Sequence, residues 1–201
     1  MAEHSCEGTW AQPAGRVGGL LLAAGGGTRY GMPKALVRDA DGLWINRALR
    51  TLRDGGCAPL VVVIGAAAAQ VRAAADLGGV IIVENTGWAE GMGSSLRAGL
   101  AALGPTAVVA AVVMLVDTPG VTAAAVRTVA THAAPGALAL ATYRDEDGHP
   151  VLLGRDHWPG VVELATGDTG ARAYLRNNPD TVVRVPCDRI SDGTDVDSPV
   201  R

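Results

Sequence analysis

The chain has 201 residues, 48% of them hydrophobic and 18% charged, and a formal net charge of -3 at pH 7. That length and apolar content suit one core of ordinary size, and two independent domains would be cramped. The balance of 17 basic against 20 acidic side chains leaves no broad basic surface, which argues against DNA or RNA as the main partner and requires any anionic ligand to be held locally.

Residues 1–15 read as a flexible N-terminal arm, followed by a single domain over 16–201. Short apolar runs alternate with alanine-rich helical segments, the pattern of a three-layer α/β fold with a mostly parallel sheet between helices. Strands are expected at Val17–Ala23, Leu60–Ile64, Val80–Glu84, Ala107–Val116 and Ala137–Thr142. Helices are expected at Ile45–Asp54, Ala67–Asp76, Ser94–Leu103 and Thr122–His132. The fully apolar strands should be covered on both faces. After Tyr143 come an acidic turn Asp145–Gly148, a strand His149–Leu153, helices Trp158–Leu164 and Gly170–Asn177 and a strand Thr181–Pro186, read as a lobe laid over the sheet.

The apolar run after Arg16 reads as a buried strand and not a leader, since Glu3 and Glu7 precede it and Arg29 and Lys34 follow. Ala107–Val116 is about half the length needed to span a bilayer, so no membrane segment is expected. Cys6, Cys57 and Cys187 are odd in number and far apart, which suggests neither a disulfide framework nor a zinc site. A cytoplasmic location fits this usage.

Lys34, the only lysine, closes a run in which Gly25, Gly26, Gly27 and Gly31 follow the first strand. A dinucleotide fingerprint starting at Gly25 would need glycine where Tyr30 stands, and a Walker A loop would need Lys directly after Gly31, where Met32 stands. What remains is a loop of unobstructed amides, with Arg29 and Lys34 within reach of one anion. Pro33 should push Met32 toward an extended conformation and hold Lys34 at a set distance from the loop. This suits a triphosphate.

Asp117 follows the most apolar strand, at the end where open α/β sheets bind ligands. Two roles stand open for it: a Mg²⁺ ligand beside phosphates, or the cap of the helix starting near Thr122. Asp195 and Asp197, at i and i+2, would face the same way in an extended segment. They either complete a magnesium site or form a solvated turn.

The residues Leu22-Ala-Ala-Gly-Gly-Gly-Thr-Arg-Tyr-Gly-Met-Pro-Lys34 resemble the L-A-A-G-x-S-x-R-x-G-x-x-K signature of the molybdenum cofactor nucleotidyltransferases, MobA-like members of the Rossmann-like NTP transferases. Asn85–Gly99 is similar to that family's N-x-x-W-x-x-G-M-x-S-S-L-x-x-G segment. Asp117-Thr-Pro119, Gly148-His-Pro150, Gly167–Arg172 and Asp195–Pro199 stand where the family has D-x-P, G-H-P, G-D-x-G-A-R and D-I-D-T-P.

The resemblance implies transfer of a nucleoside monophosphate to a phosphorylated acceptor with release of pyrophosphate. Ala24 matches the cytidylyl branch, which implies CTP and the molybdopterin cofactor as substrates, Mg²⁺ as cofactor, and a molybdoenzyme or its chaperone as a partner. It places Leu22, Ala23, Ala24, Gly25, Gly27 and Thr28 on the nucleotide, with Arg29 and Lys34 on its phosphate oxygens. Arg29, Lys34 and Asp117 become the catalytic set, and Asp117 with Asp195 or Asp197 the metal ligands. Ser94 and Ser95 either meet the nucleotide or cap their helix. His149 either touches the acceptor or fixes its turn, and Asp168 either meets the acceptor or, more in keeping with its position, caps a helix. Trp88 reads as a core-edge residue in preference to a pterin cover, and His4, His132 and His157 as surface residues. The alternative on the same fold is an NAD(P)H-dependent oxidoreductase of the nicotine blue type.

Overall fold

The computed structural model describes residues 15–196. In chain order these form β1 (Val17–Ala23), β2 (Arg38–Asp39), β3 (Gly42–Leu43), α1 (Trp44–Asp54), β4 (Leu60–Ile64), α2 (Ala68–Ala74), β5 (Val80–Glu84) and α3 (Met92–Leu103). Then follow β6 (Ala110–Leu115), α4 (Ala123–Ala130), β7 (Leu138–Tyr143), β8 (Glu146–Gly154), α5 (Trp158–Leu164), α6 (Arg172–Asn177) and β9 (Val182–Pro186). Seven strands make one sheet in the order β5-β4-β1-β6-β8-β7-β9. Every neighbouring pair is parallel except those of β8, which runs antiparallel to both β6 and β7.

Strand alternation divides the core into two halves. Leu21 and Ala23 of β1 pack with Val62, Ile64, Val112 and Met114 beneath α1, α2 and α4. Leu20 and Leu22 pack with Val61, Val63 and Val113 beneath α3 and α5, with Tyr174 and Leu175 of α6 joining them. The result is the three-layer, mostly parallel architecture expected from the sequence. All seven residues of β1 are buried, as a strand covered on both faces requires.

The tail differs from expectation. Only its helices α5 and α6 lie over the sheet: β8 inserts between β6 and β7, and β9 forms an edge. Pro150–Gly154 are buried, so this run is stabilised by pairing inside the sheet and not by covering it. The turn before it is Arg144-Asp145, both with positive φ (51° and 65°), a two-residue hairpin connection. Glu146–Gly148, read as part of an acidic turn, belong to the strand. The apolar run 107–116 yields a strand of only Ala110–Leu115, and β2 and β3 pair as a small separate hairpin. His157 is no bare surface residue: its ring nitrogens meet Tyr174 OH at 2.9 Å and the Gly136 carbonyl at 3.0 Å. The arm read over 1–15 lies, apart from Gly15, outside the described residues.

Candidate active site

The glycine run leaves β1 and folds back on itself. Gly27 has φ +64°, and a Cβ there would lie 1.8 Å from the Met32 carbonyl oxygen, so only glycine fits. Its carbonyl accepts from Gly31 N at 2.8 Å. Pro33, with φ -55°, then starts a single 3-10 turn over Lys34–Leu36. Burial of Ala35 and Val37 anchors that turn, and with it the stem of Lys34.

Lys34 Nζ donates to Asp117 Oδ2 at 2.8 Å, and the two side chains are 13% and 22% exposed. Asp117 sits just beyond β6, where Val116 N still pairs with Leu22 O at 3.1 Å. Asp117 does not cap the next helix, because Thr122 caps α4 by accepting from Ala125 N at 3.2 Å. The other carboxylate oxygen of Asp117, Oδ1, is buried and accepts no hydrogen bond among the described residues. A buried acceptor without a partner costs free energy unless a cation or donor arrives, so the residue suits a metal ion. Val196 N donates to Asp117 O at 2.9 Å, which brings the 192–196 segment back to β6 and sets Asp195 at the same cavity. Asp197 lies outside the described residues. Among the described residues no group of three or more His, Cys, Asp or Glu could hold an ion.

The start of α3 forms a second wall. Asn85 Nδ2 donates to Ser94 Oγ at 2.8 Å and Ser95 Oγ at 3.0 Å, while Asn85 Oδ1 accepts from Gly87 N at 3.0 Å. Asp168 accepts from Met92 N at 3.4 Å, so it serves the start of α3 and not its own helix. Gly91 permits this approach: a Cβ there would sit 2.4 Å from the Gly167 carbonyl carbon. Trp88 is exposed, and its ring lies against the loop, where a Cβ on Gly26 would be 3.1 Å away.

Tyr143 and His149 build the opposite wall. Tyr143 OH donates to His149 O at 2.7 Å, and its ring fits between Gly148 and Gly193, either of which would clash with it if given a Cβ. Burial pushes the Tyr143 hydroxyl up to about 12. His149 loses solvent around its half-buried ring, which pushes its pKa down to about 4 despite the opposing charge of Asp117. It is a neutral imidazole at pH 7.

These walls enclose a cavity of about 1270 Å³. It gathers Leu22, Ala24, Gly25, Gly27, Thr28, Arg29, Lys34, Ser95, Asp117, His149, Asp168 and Asp195 from the sequence expectations. Two of the expected residues stay outside. Ala23 points to the opposite face of β1, under α1, because neighbours in a strand alternate. Ser94 is buried and turned inward, with its hydroxyl within 2.9 Å of Gly91 O and 3.1 Å of Gly87 O. Sequence reasoning gave no role to Asn85, although it opens the Asn85-x-x-Trp88 segment, nor to Arg144, Arg172 and Arg176, which line the cavity. Arg172 and Arg176 carried a signal in their spacing of four along a helix.

Comparison with known proteins bears on the family and the fold. The model of the MobA-like NTP transferase domain matches residues 19–182. The nicotine blue oxidoreductase of Paenarthrobacter nicotinovorans is 38% identical over 190 residues, covering 90% of this chain and 92% of the relative. The crystal structure of the Mycobacterium tuberculosis Rv0371c homologue from Mycobacterium sp. strain JC1 is 32% identical, covers 91% of each chain and superposes with a TM-score of 0.78. Rv0371c of Mycobacterium tuberculosis in complex with manganese is 29% identical, covers 86% of this chain and 88% of that one, and gives a TM-score of 0.71. No described helix is long and apolar enough to cross a membrane.

Proposed function

The chain belongs to the MobA-like NTP transferase family, and from that premise we propose that it transfers CMP from CTP to a phosphorylated acceptor, the molybdopterin cofactor, releasing pyrophosphate. The observation that carries this is the 2.8 Å approach of Lys34 to Asp117 beside a glycine loop, with a buried oxygen of Asp117 left for a cation. The preference for CTP follows from Ala24 in the L-A-A-G match.

The loop amides and Arg29 would bind the β- and γ-phosphates, and Lys34 would neutralise charge growing on the α- and bridging oxygens. An oxygen of the acceptor phosphate attacks the α-phosphorus. The new O–P bond forms as the bond to the β-phosphate oxygen breaks, and pyrophosphate leaves with that electron pair. The attacking phosphate is already ionised at neutral pH, so no general base is needed. Asp117 and Asp195, with Asp197, would hold Mg²⁺, which when bound supplies Lewis-acid stabilisation of the phosphate oxygens. Ser95, and the Asn85 amide that orients it, would meet the nucleotide, while His149 and Asp168 would face the acceptor. A molybdoenzyme or its chaperone would receive the product.

The nicotine blue oxidoreductase relative favours a second function, reduction of an aromatic substrate by NAD(P)H. It ranks lower because it gives Lys34 and Asp117 no evident chemical role. Thermal shift with CTP, GTP, ATP and NADPH, with and without Mg²⁺, separates the two, since a ligand at 100 times its dissociation constant adds about 2.7 kcal/mol. Mg-CTP should stabilise most and release pyrophosphate when molybdopterin is supplied. Stabilisation by NADPH without any by nucleoside triphosphates would overturn nucleotidyl transfer.

A further inference from the structure

Residues 187–196 carry Asp195 from the end of β9 back to Asp117 with no helix or strand of their own. A segment of that kind holds its course only through its side contacts. Its two ends are tied by backbone, Cys187 N donating to Thr142 O at 3.0 Å and Val196 N to Asp117 O at 2.9 Å. Between them Thr122 Oγ1 donates to Ile190 O at 2.8 Å and Ser191 Oγ to Gly120 O at 2.9 Å. Asp188, near the start, accepts from Arg144 N at 2.6 Å.

Tyr143, the last residue of β7, stands where these ties converge. Its ring is buried, and Gly193 crosses it so closely that a Cβ there would lie 2.2 Å from the ring, at a φ of +61°. Its hydroxyl donates to His149 O at 2.7 Å and lies 3.4 Å from Ser191 Oγ. A phenylalanine would fill the same space, and a buried hydroxyl costs free energy unless it is bonded. The hydroxyl thus ties β8 at His149 to the returning segment at Ser191, and through Ser191 to the turn after Asp117. We propose that Tyr143 is a positioning residue: its ring sets the course of residues 191–195 and its hydroxyl locks that course to His149, so that Asp195 is presented at the cavity beside Asp117. It touches no reacting atom itself. The inference rests on the metal role proposed for Asp195 and adds what holds that carboxylate in place.

The test is titration with Mn²⁺ followed by electron paramagnetic resonance, beside amide exchange measured by NMR, for the wild type, Tyr143→Phe, Gly193→Ala and Arg155→Gln. Tyr143→Phe keeps the ring and removes only the tie, while Gly193→Ala drives a methyl into the ring. Arg155 is the control for lost stability alone, since its guanidinium holds the Thr106 and Val108 carbonyls after α3 and does not line the cavity. Tyr143→Phe and Gly193→Ala should each weaken Mn²⁺ binding about tenfold, as removal of a group that orients a metal ligand does. Both should speed exchange of the Val196 amide relative to the amides of β1. Arg155→Gln should melt lower and bind Mn²⁺ as the wild type does. Wild-type Mn²⁺ affinity in either Tyr143→Phe or Gly193→Ala, or equal weakening in Arg155→Gln, would overturn the positioning role. If the wild type binds no Mn²⁺ while Val196 exchange still responds to Tyr143→Phe, Tyr143 seats the segment and the metal role of Asp195 falls.

Discussion

Lys34 Nζ and Asp117 Oδ2 lie 2.8 Å apart although 83 residues separate them in the chain. β1 and β6 are adjacent parallel strands, Leu22 opposite Leu115, so the loop leaving one and the aspartate leaving the other emerge at the same sheet end. An ammonium and a carboxylate from distant parts of the chain therefore meet at one point of the cavity.

Lys34→Ala should lose about 3 kcal/mol of transition-state stabilisation, on the order of a hundredfold in turnover. Its stem is held by a 3-10 turn anchored by the buried Ala35 and by the buried Val37 that follows it, so the fold should persist. Pyrophosphate release measured beside a circular dichroism melt decides the matter. Unchanged turnover removes Lys34 from the chemistry.

Two glycines of the loop should respond oppositely. Gly27→Ala places a methyl at a φ of +64° and 1.8 Å from Met32 O, which should destabilise the protein by more than about 1 kcal/mol. A Cβ on Gly25 meets nothing within 4 Å, so Gly25→Ala should leave the melting temperature unchanged and weaken CTP binding by narrowing the approach to the amides. Equal melting temperatures for both variants would contradict the loop geometry.

Removal of divalent metal by a chelator should stop turnover reversibly. Asp117→Asn should weaken Mn²⁺ binding, followed by electron paramagnetic resonance, because Oδ1 is a buried carboxylate oxygen that accepts no hydrogen bond among the described residues and suits a hard cation. Asp168→Asn should bind Mn²⁺ as the wild type does, since Asp168 Oδ1 is occupied with Met92 N. Equal retention in both variants would place the metal elsewhere.

His149 gives stability a pH dependence. Its pKa is about 4 when folded against 6.5 for an ordinary imidazole, so between these values the unfolded chain binds more protons. Its contribution is whole above about pH 6.5, shrinks as the pH falls and levels off below about 4, with at most about 3 kcal/mol at stake. Urea melts of metal-free protein at neutral and mildly acidic pH, compared with His149→Gln, should show a smaller acid loss in the variant. Parallel curves would dismiss the effect.

Some features were legible in the chain because their causes are local. The apolar runs Val17–Ala23 and Leu60–Ile64 are continuous and bounded by turn residues, and they became strands with those bounds. The glycine run and Pro33 carry backbone constraints that act within a few residues, so the loop and the launch of Lys34 followed. Ala23 was misjudged because a motif names consecutive residues, while a strand sends alternate side chains to opposite faces.

By itself, then, the sequence determined the α/β rhythm, the glycine loop and the identities of the charged groups, all of which depend on short-range sterics and residue chemistry. Tertiary structure alone decided that β8 enters the sheet antiparallel, that Val196 returns to Asp117, and that His149, Asp168 and Asp195 line the same cavity as the glycine loop. Those outcomes depend on which strands pair and which faces bury together, a competition among distant segments that no local pattern records.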